Sequence, residues 1–367
     1  MTRPVRIGIV GCGSVMSWSY MPLVEKLRWR GLVEVVVACD VVEAKRAFVR
    51  EQFGISDFTT DYRQVVQRED VDLVLVLTAM PAHGQVARAA LEAGKHVLVE
   101  KPMAVTLDEA ARLVEMAKSS TGYLLPAPHV LLSPTYQTIW QRLRQGAIGK
   151  VLSARARYGW AGPDWGQWFY RPGGGSLFDL GVYNVTSLTG LLGPARRVTA
   201  MTGVAIPERK VDGEMIRVEA EDNAHVLIDF GESVFAVVTT GFTMQRYRSP
   251  AIELYGSQGT IQMLGDDWAP DGYEMWQNSA GAWQLFGETD ASWPWTDGLR
   301  HMVECIQHKR RPIITPEHGF HALEIMLKAQ AAGRDGQART IESTFTPPQF
   351  QGEGEELAPH LIHSPER

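Results

Sequence analysis

The chain is predicted to be an α/β protein in two parts. A doubly wound parallel sheet is expected over residues 1–125, and an α/β domain with a large, mainly antiparallel open sheet over residues 126–345. Three observations carry this. Short β-branched runs alternate with helical stretches through the first third, as in repeated strand–helix–strand units. From about residue 150 the runs become period-two alternations separated by turns, the pattern of half-buried strands. The length, 367 residues at 45% hydrophobic and 21% charged, is enough for two sizeable cores.

Composition also narrows the function. A formal charge of −6 gives no reason to expect a nucleic-acid or anionic-membrane partner. Cys12, Cys39 and Cys305 are far apart and odd in number, so neither a disulfide framework nor a metal cluster is expected. No apolar segment approaches bilayer-spanning length, and the N-terminus runs into a strand without a signal-peptide core. A cytoplasmic, metal-free protein acting on a small molecule is the expectation.

The first strand is Val5–Val10, and Gly11-Cys12-Gly13-Ser14-Val15-Met16 follows it. These match the first two glycines of the dinucleotide fingerprint Gly-x-Gly-x-x-Gly in the required place. The first permits the tight turn, and the second lets backbone N–H groups approach a pyrophosphate at the start of a helix. Met16 replaces the third glycine, so the helix is expected to shift or stand off. A second strand, Val33–Cys39, ends at Asp40, 27 residues after Gly13. A carboxylate there accepts from the adenosine ribose hydroxyls and repels a 2′-phosphate, which favours NAD over NADP. A turn-initiating aspartate is the simpler alternative for Asp40.

A helix is expected over Glu43–Phe53 and a strand over Val71–Leu77, with Thr78 and His83 just beyond it. The next helix, Ala82–Ala93, stops at Gly94. The buried strand that follows ends in Val97-Leu98-Val99-Glu100-Lys101-Pro102. Pro102 has no N–H to extend a central ladder, so Lys101 falls at the carboxyl end, where open α/β sheets bind ligands. Thr106 and Glu109 form a capping pattern for the next helix, and Tyr123–Leu125 is the last strand.

Beyond Pro126, a helix is expected over Pro134–Gln145. Strands are expected near 152–158, 197–204, 222–230, 234–242, 251–255, 260–264 and 272–276. Two helices close the domain; the second has Thr315 as cap, Pro316 at its first position, and an end near Gly333. Residues 346–367, rich in Pro, Gly and Glu, are expected to be an extended or disordered tail.

A further informative stretch is Gly173-Gly174-Gly175-Ser176-Leu177-Phe178-Asp179-Leu180-Gly181-Val182-Tyr183. If it is helical after the glycines, Asp179 and Tyr183 share a face, with Lys101 across the cleft. Just before it, Trp160, Trp165, Trp168, Phe169, Tyr170 and Arg171 crowd a segment suited to sugar C–H faces and hydroxyls; a loop core or dimer interface is the alternative. Together these stretches resemble the glucose–fructose oxidoreductase/inositol dehydrogenase (Gfo/Idh/MocA) family from Val5 to about Ile341. The resemblance implies a Rossmann domain, and a second domain whose open sheet makes homodimer or homotetramer contacts. It places Lys101 near nicotinamide and the substrate hydroxyl and Asp179 in the second motif. Tyr183 stands where other members carry His, which excludes a histidine base there. Thr78 and His83 fall on the family's cofactor-side segment, with Ala79 a departure. His129 stands where many members carry Asn.

The expected activity is hydride transfer between NAD and a secondary alcohol of a sugar, polyol or cyclitol. Lys101, Asp179 and Tyr183 are the catalytic candidates, with Lys101 lowering the Tyr183 pKa so that the two share the proton. Cofactor contacts are expected from Gly11, Cys12, Gly13, Ser14, Val15, Asp40, Thr78, His83, Glu100 and Lys101. Substrate contacts are expected from Lys101, His129, Trp165, Trp168, Arg171, Asp179 and Tyr183. An NAD-using glycoside-cleaving enzyme and a non-catalytic dinucleotide-binding regulator remain open.

Overall fold

The computed structural model describes residues 3–248 and 250–350. Its first sheet consists of β1 (Val5–Val10), β2 (Val33–Cys39), β3 (Phe58–Thr59), β4 (Leu73–Val76), β5 (His96–Val99) and β6 (Leu124–Pro126). The strands are parallel in the order β3-β2-β1-β4-β5-β6, a doubly wound Rossmann sheet with its switch point between β1 and β4. The central strands β4 and β5 are almost wholly buried, which explains their continuous apolar sequence. The connecting helices are α1 (Met21–Trp29), α2 (Lys45–Phe53), α3 (Tyr62–Val66), α4 (His83–Glu92) and α5 (Leu107–Ser119). Thr106 caps α5 by accepting from the Glu109 N–H. The sequence gives little signal for β3 and α3, because two and five residues are too short for a period to emerge.

Met16 has the expected local consequence. Between the glycine turn and α1 the chain forms a π-helical turn, Val15–Tyr20, with Met16 fully buried. The wider turn takes in a side chain where the third glycine would have allowed close packing.

The second domain begins with α6 (Pro134–Arg144), β7 (Val151–Gly159) and α7 (Val182–Leu192). It continues through β8 (Arg197–Gly203), β9 (Glu208–Val211), β10 (Glu214–Arg217), β11 (Asn223–Asp229), β12 (Phe235–Gly241), β13 (Ile252–Gly256), β14 (Gly259–Asp266), β15 (Ala269–Gln277) and β16 (Ala282–Phe286). Then come α8 (Gly298–His308), α9 (Pro316–Asp335) and β17 (Arg339–Thr340). Nine of these strands make one sheet in the order β16-β15-β14-β13-β7-β12-β11-β8-β17, antiparallel except for β7 beside β12. The separate hairpin β9–β10 was not foreseen, nor were β16 and β17. One face of the large sheet carries Ala154, Ala156, Val226 and Val238 and is covered by helices including α7; the other leaves Met201, Leu227, Phe235 and Val237 exposed.

Three details go beyond the expectations. α8, from the second part of the chain, returns to the first sheet and lies against α1, β1 and β5. The helix expected to stop near Gly333 runs to Asp335 and ends on Gly336 at φ 72°. Gly333 is instead a close-approach position, where a Cβ would overlap Thr202 of β8. Finally, the tail expected over 346–367 begins as docked chain, since Phe350 packs edge-on against Tyr136 and Trp140; residues 351–367 lie outside the described residues.

Candidate functional site

The site forms at the carboxyl ends of β1, β4 and β5, where α7 meets the Rossmann sheet. Gly11 leaves β1 at φ 102°, and a Cβ there would collide with the Leu77 carbonyl. The turn is therefore pressed against the end of β4, and only glycine satisfies both the angle and the space. The Cys12 N–H donates to one oxygen of Asp40 at 2.8 Å, and the Val42 N–H to the other at 2.9 Å. Asp40 thus does initiate a turn, and it also ties the β2 end to the glycine loop. At Gly13 a Cβ would meet nothing within 4 Å, so this side of the loop is open. An open glycine turn leading into Ser14, Val15 and a helical N-terminus, with a carboxylate at the second strand's end, fits a dinucleotide.

Thr78 follows β4, and its carbonyl lies 2.9 Å from His83 Nε2; the Pro102 carbonyl lies 2.8 Å from Nδ1. His83 is fully buried, and burial pushes its pKa down. The His83 ring is enclosed, and it joins the loops after β4 and β5.

The side chains of Glu100 and Lys101, adjacent at the end of β5, have partners in different parts of the molecule. Buried Glu100 accepts from the Tyr20 hydroxyl at 2.8 Å and from the Lys101 N–H at 3.1 Å. Tyr20 itself packs edge-on against Trp295. Lys101 Nζ donates to the Asp179 carbonyl and to its carboxylate, both at 2.7 Å, and lies 5.2 Å from the centre of the Tyr183 ring. Both charged side chains are mostly shielded, at 12% and 14% exposure, so this ion pair is stronger than one on the open surface.

Asp179 is presented by a second π-helical turn, Leu177–Gly181, which runs directly into α7. Ahead of it, Gly175 sits at φ 103° with the Glu221 carboxylate where a Cβ would be. The Leu177 N–H donates to that carboxylate at 3.3 Å. Tyr183 lies in the first turn of α7, buried and edge-on to Tyr158 at 5.8 Å between ring centres. Burial first, then the charges of Glu100 and Asp179 and the neighbouring Tyr158, raise its pKa well above the usual phenol value. This corrects the expectation that Lys101 lowers it: the ammonium stands over the ring and is compensated by Asp179.

Below α7, Asp267 accepts from Asn184 Nδ2 at 2.9 Å and Ser187 Oγ at 3.2 Å. It is fully enclosed, and burial pushes its pKa up to about 7. Asp267 therefore fixes the angle of the helix that carries Tyr183.

The substrate candidates divide. Lys101, Asp179 and Tyr183 converge. His129 does not join them: it is fully buried with its ring against Gly298 of α8, and burial lowers its pKa to about 3. The return of α8 covers it. Trp165 and Trp168 pack on Phe169, and Arg171 pairs with Glu219. These side chains flank a small core of Phe169, Tyr170, Leu180, Val211, Ile216, Val218 and Phe242 that backs the Asp179 turn. Tyr20, Tyr158 and Asp267 were missed. Only Tyr158 left a signal: strand alternation puts it on the same face as Ala154 and Ala156.

Comparison with known proteins agrees with this architecture. Residues 5–126 match the family model described as oxidoreductase family, NAD-binding Rossmann fold, and residues 136–262 match the GFO/IDH/MocA C-terminal domain. The chain is 26% identical over 348 residues to 1,5-anhydro-D-fructose reductase of Ensifer adhaerens, covering 92% of this chain and 99% of that one. It is 30% identical over 264 residues to dTDP-3,4-didehydro-2,6-dideoxy-alpha-D-glucose 3-reductase of Saccharopolyspora spinosa, covering 71% and 75%. A solved structure of levoglucosan dehydrogenase with NADH and levoglucosan superposes with TM-score 0.81 at 20% identity, covering 92% of this chain and all of that one, a likeness of fold. The chain belongs to the Gfo/Idh/MocA oxidoreductase family. It is a nicotinamide-dependent dehydrogenase or reductase acting on CH–OH groups, and its cofactor is NAD. Among the described residues, no helix is long and apolar enough to cross a membrane.

Proposed function

We propose that this enzyme interconverts a secondary alcohol and its ketone on a sugar, polyol or cyclitol, with Lys101 and Tyr183 handling the proton. The observation that carries the reading is Lys101 Nζ, fixed by two hydrogen bonds to Asp179 beneath the Tyr183 ring. NAD, when bound, supplies or accepts the hydride. The Gly11–Val15 loop would hold its pyrophosphate and Asp40 its ribose hydroxyls, while Thr78, Glu100 and Lys101 shape the nicotinamide end.

Lysine has three N–H donors, and Asp179 occupies two of them here. The third is left to polarise a substrate oxygen. Tyr183, protonated by its surroundings, suits donation to a carbonyl oxygen as that oxygen gains charge, so the arrangement favours ketone reduction. Glu100, held by Tyr20, keeps the strand end from turning as the two domains act on one substrate.

Two collateral readings follow. The exposed apolar residues Met201, Leu227, Phe235 and Val237 on the outer sheet face support association into a homodimer or homotetramer; a single-protomer mass by light scattering would remove that reading. The three free, buried cysteines suit a reducing cytoplasm; fractionation of the native host that places the chain elsewhere would overturn it.

The test is to identify the co-purified nucleotide and then scan sugars, polyols and ketoses for change at the reduced-nicotinamide absorbance band. Lys101→Met is expected to lower kcat by about 10²–10⁴-fold, the usual range for losing positioned proton chemistry. Near-wild-type turnover in that variant, with normal NAD binding, sinks the assignment. Release of a free sugar from glycosides without net nicotinamide reduction would favour the glycoside-cleaving alternative.

A further inference from the structure

Beside Tyr183 the second domain opens into a cleft of about 680 Å³, lined by Tyr158, Trp160, Arg246, Tyr247, Asp266 and Trp268 among others. Of these, Trp160 belongs to the aromatic-rich segment that the sequence offers for sugar faces; the others were not singled out for substrate. We propose that this cleft is a subsite for a second sugar ring, so that the preferred substrate is a neutral glycoside rather than a free monosaccharide. The proposal rests on the functional reading above and extends it to the size and charge of the substrate.

Continuity comes first. Tyr158 belongs both to the cleft and to the site: its ring lies 5.8 Å from Tyr183, and Trp268 lies 6.1 Å beyond it at a 35° tilt. Tyr158 thus stands between the Lys101 and Tyr183 site and the cleft, with Trp268 one ring further on. The volume falls within the 300–1,000 Å³ typical of small-ligand sites and is more than one pyranose fills.

The lining chemistry is that of sugar recognition. Tyr158, Trp160 and Trp268 offer flat apolar surface for the C–H face of a ring. Asp266 is oriented by the Tyr247 hydroxyl, which donates to its Oδ1 at 2.7 Å, and so presents a fixed carboxylate to hydroxyl donors. Gln245 and Arg246 add further groups that pair with hydroxyls.

Charge decides between two extended substrates. Among the described lining residues, Arg246 is the one cation and Asp266 the one anion. A nucleotide-linked sugar carries a diphosphate, which calls for clustered cations or a helix N-terminus. This lining favours an uncharged second ring.

The experiment compares methyl glycosides of glucose and galactose with cellobiose, maltose and lactose, and with dTDP-glucose, measuring binding by calorimetry to the NAD-loaded enzyme and turnover by nicotinamide absorbance. At least one disaccharide is expected to bind about tenfold or more tighter than its methyl glycoside. Trp268→Ala is expected to bring that ratio close to one, and Trp268→Phe, which keeps an aromatic face, to retain most of it. The Phe variant guards against a fold defect in the Ala variant. Equal affinity for disaccharides and methyl glycosides, a ratio unmoved by Trp268→Ala, or preference for dTDP-glucose each overturns the subsite. Tight disaccharide binding without hydride transfer supports the subsite and overturns the functional reading; turnover of methyl glycosides with no gain from a second ring does the reverse.

Discussion

The turn at Gly11 and the turn at Gly175 hold nearly the same backbone angle, φ 102° and 103°, and each leads through a π-helical turn into an α-helix. One helix starts in the Rossmann domain, the other in the sheet domain, and the two take hold of neighbouring residues just past the end of β5. Tyr20 of the first binds Glu100; Asp179 of the second binds Lys101. What differs is the wall behind each glycine. Gly11 faces backbone, the Leu77 carbonyl, whereas Gly175 faces the Glu221 side chain. A backbone wall cannot yield, which suits a loop that must present fixed N–H groups to a pyrophosphate. A side-chain wall can move, and the second loop positions a side chain rather than a row of amides.

This contrast can be broken experimentally. Gly11→Ala carries the largest expected effect, about 3–4 kcal/mol of destabilisation from combined overlap and positive φ, with loss of NAD retention. Gly175→Ala meets the same angle but a movable neighbour, so about 1–2 kcal/mol is expected, with NAD affinity kept. Urea denaturation and NAD titration of both variants check this; equal losses would show that the two walls are equally rigid.

Asp267 sharpens the second half of the comparison, because it ties α7 from below. Its pKa is raised to about 7 from an ordinary 3.8, so the folded protein binds a proton that the unfolded chain releases. Stability from this group therefore falls as pH rises from about 4 to about 7 and stays lowered above that. Asp267→Asn keeps an acceptor for Asn184 and Ser187 without the charge. It is expected to stabilise the protein by about 1–3 kcal/mol at about pH 8 and to change little near pH 4. Denaturation midpoints at the two pH values decide it, and a variant less stable at both would show that the carboxylate is needed charged.

The smallest effect is expected on the Rossmann side. Tyr20→Phe removes one hydrogen bond to the buried Glu100 and should cost about 1–2 kcal/mol, with Lys101 still held by Asp179. A fall in kcat as large as that of Lys101→Met would mean that the two helices do not act on β5 independently.

Much of this was legible beforehand because it is local. The glycine turn after β1, the carboxylate at the end of β2 and the charged pair before Pro102 are each written within a few residues, and a doubly wound sheet brings strand ends to one crevice. Asp179 and Tyr183 were legible for the same reason, through their spacing along a helix, although the π turn between them was not. The surroundings of His129, Trp165, Trp168 and Arg171 were not legible because they come from elsewhere in the chain. α8 folds back over His129 from 169 residues downstream, and the residues flanking the small core meet a hairpin too short to leave a period.

By itself the sequence determined the two-part α/β architecture, the NAD-binding end of the first sheet and the identity of Lys101, Asp179 and Tyr183 as neighbours. Backbone angle, strand alternation and helical spacing act over a few residues, and the chain carries them wherever it goes. Only the tertiary structure decided how those groups are charged and what surrounds them. Burial first, then Glu100 from the first domain and Asp179 from the second, push the Tyr183 pKa up. The ring wall beside it is assembled from Tyr158 and Trp268, which stand 110 residues apart. Desolvation and charge act through space, so they exist only once distant segments have packed.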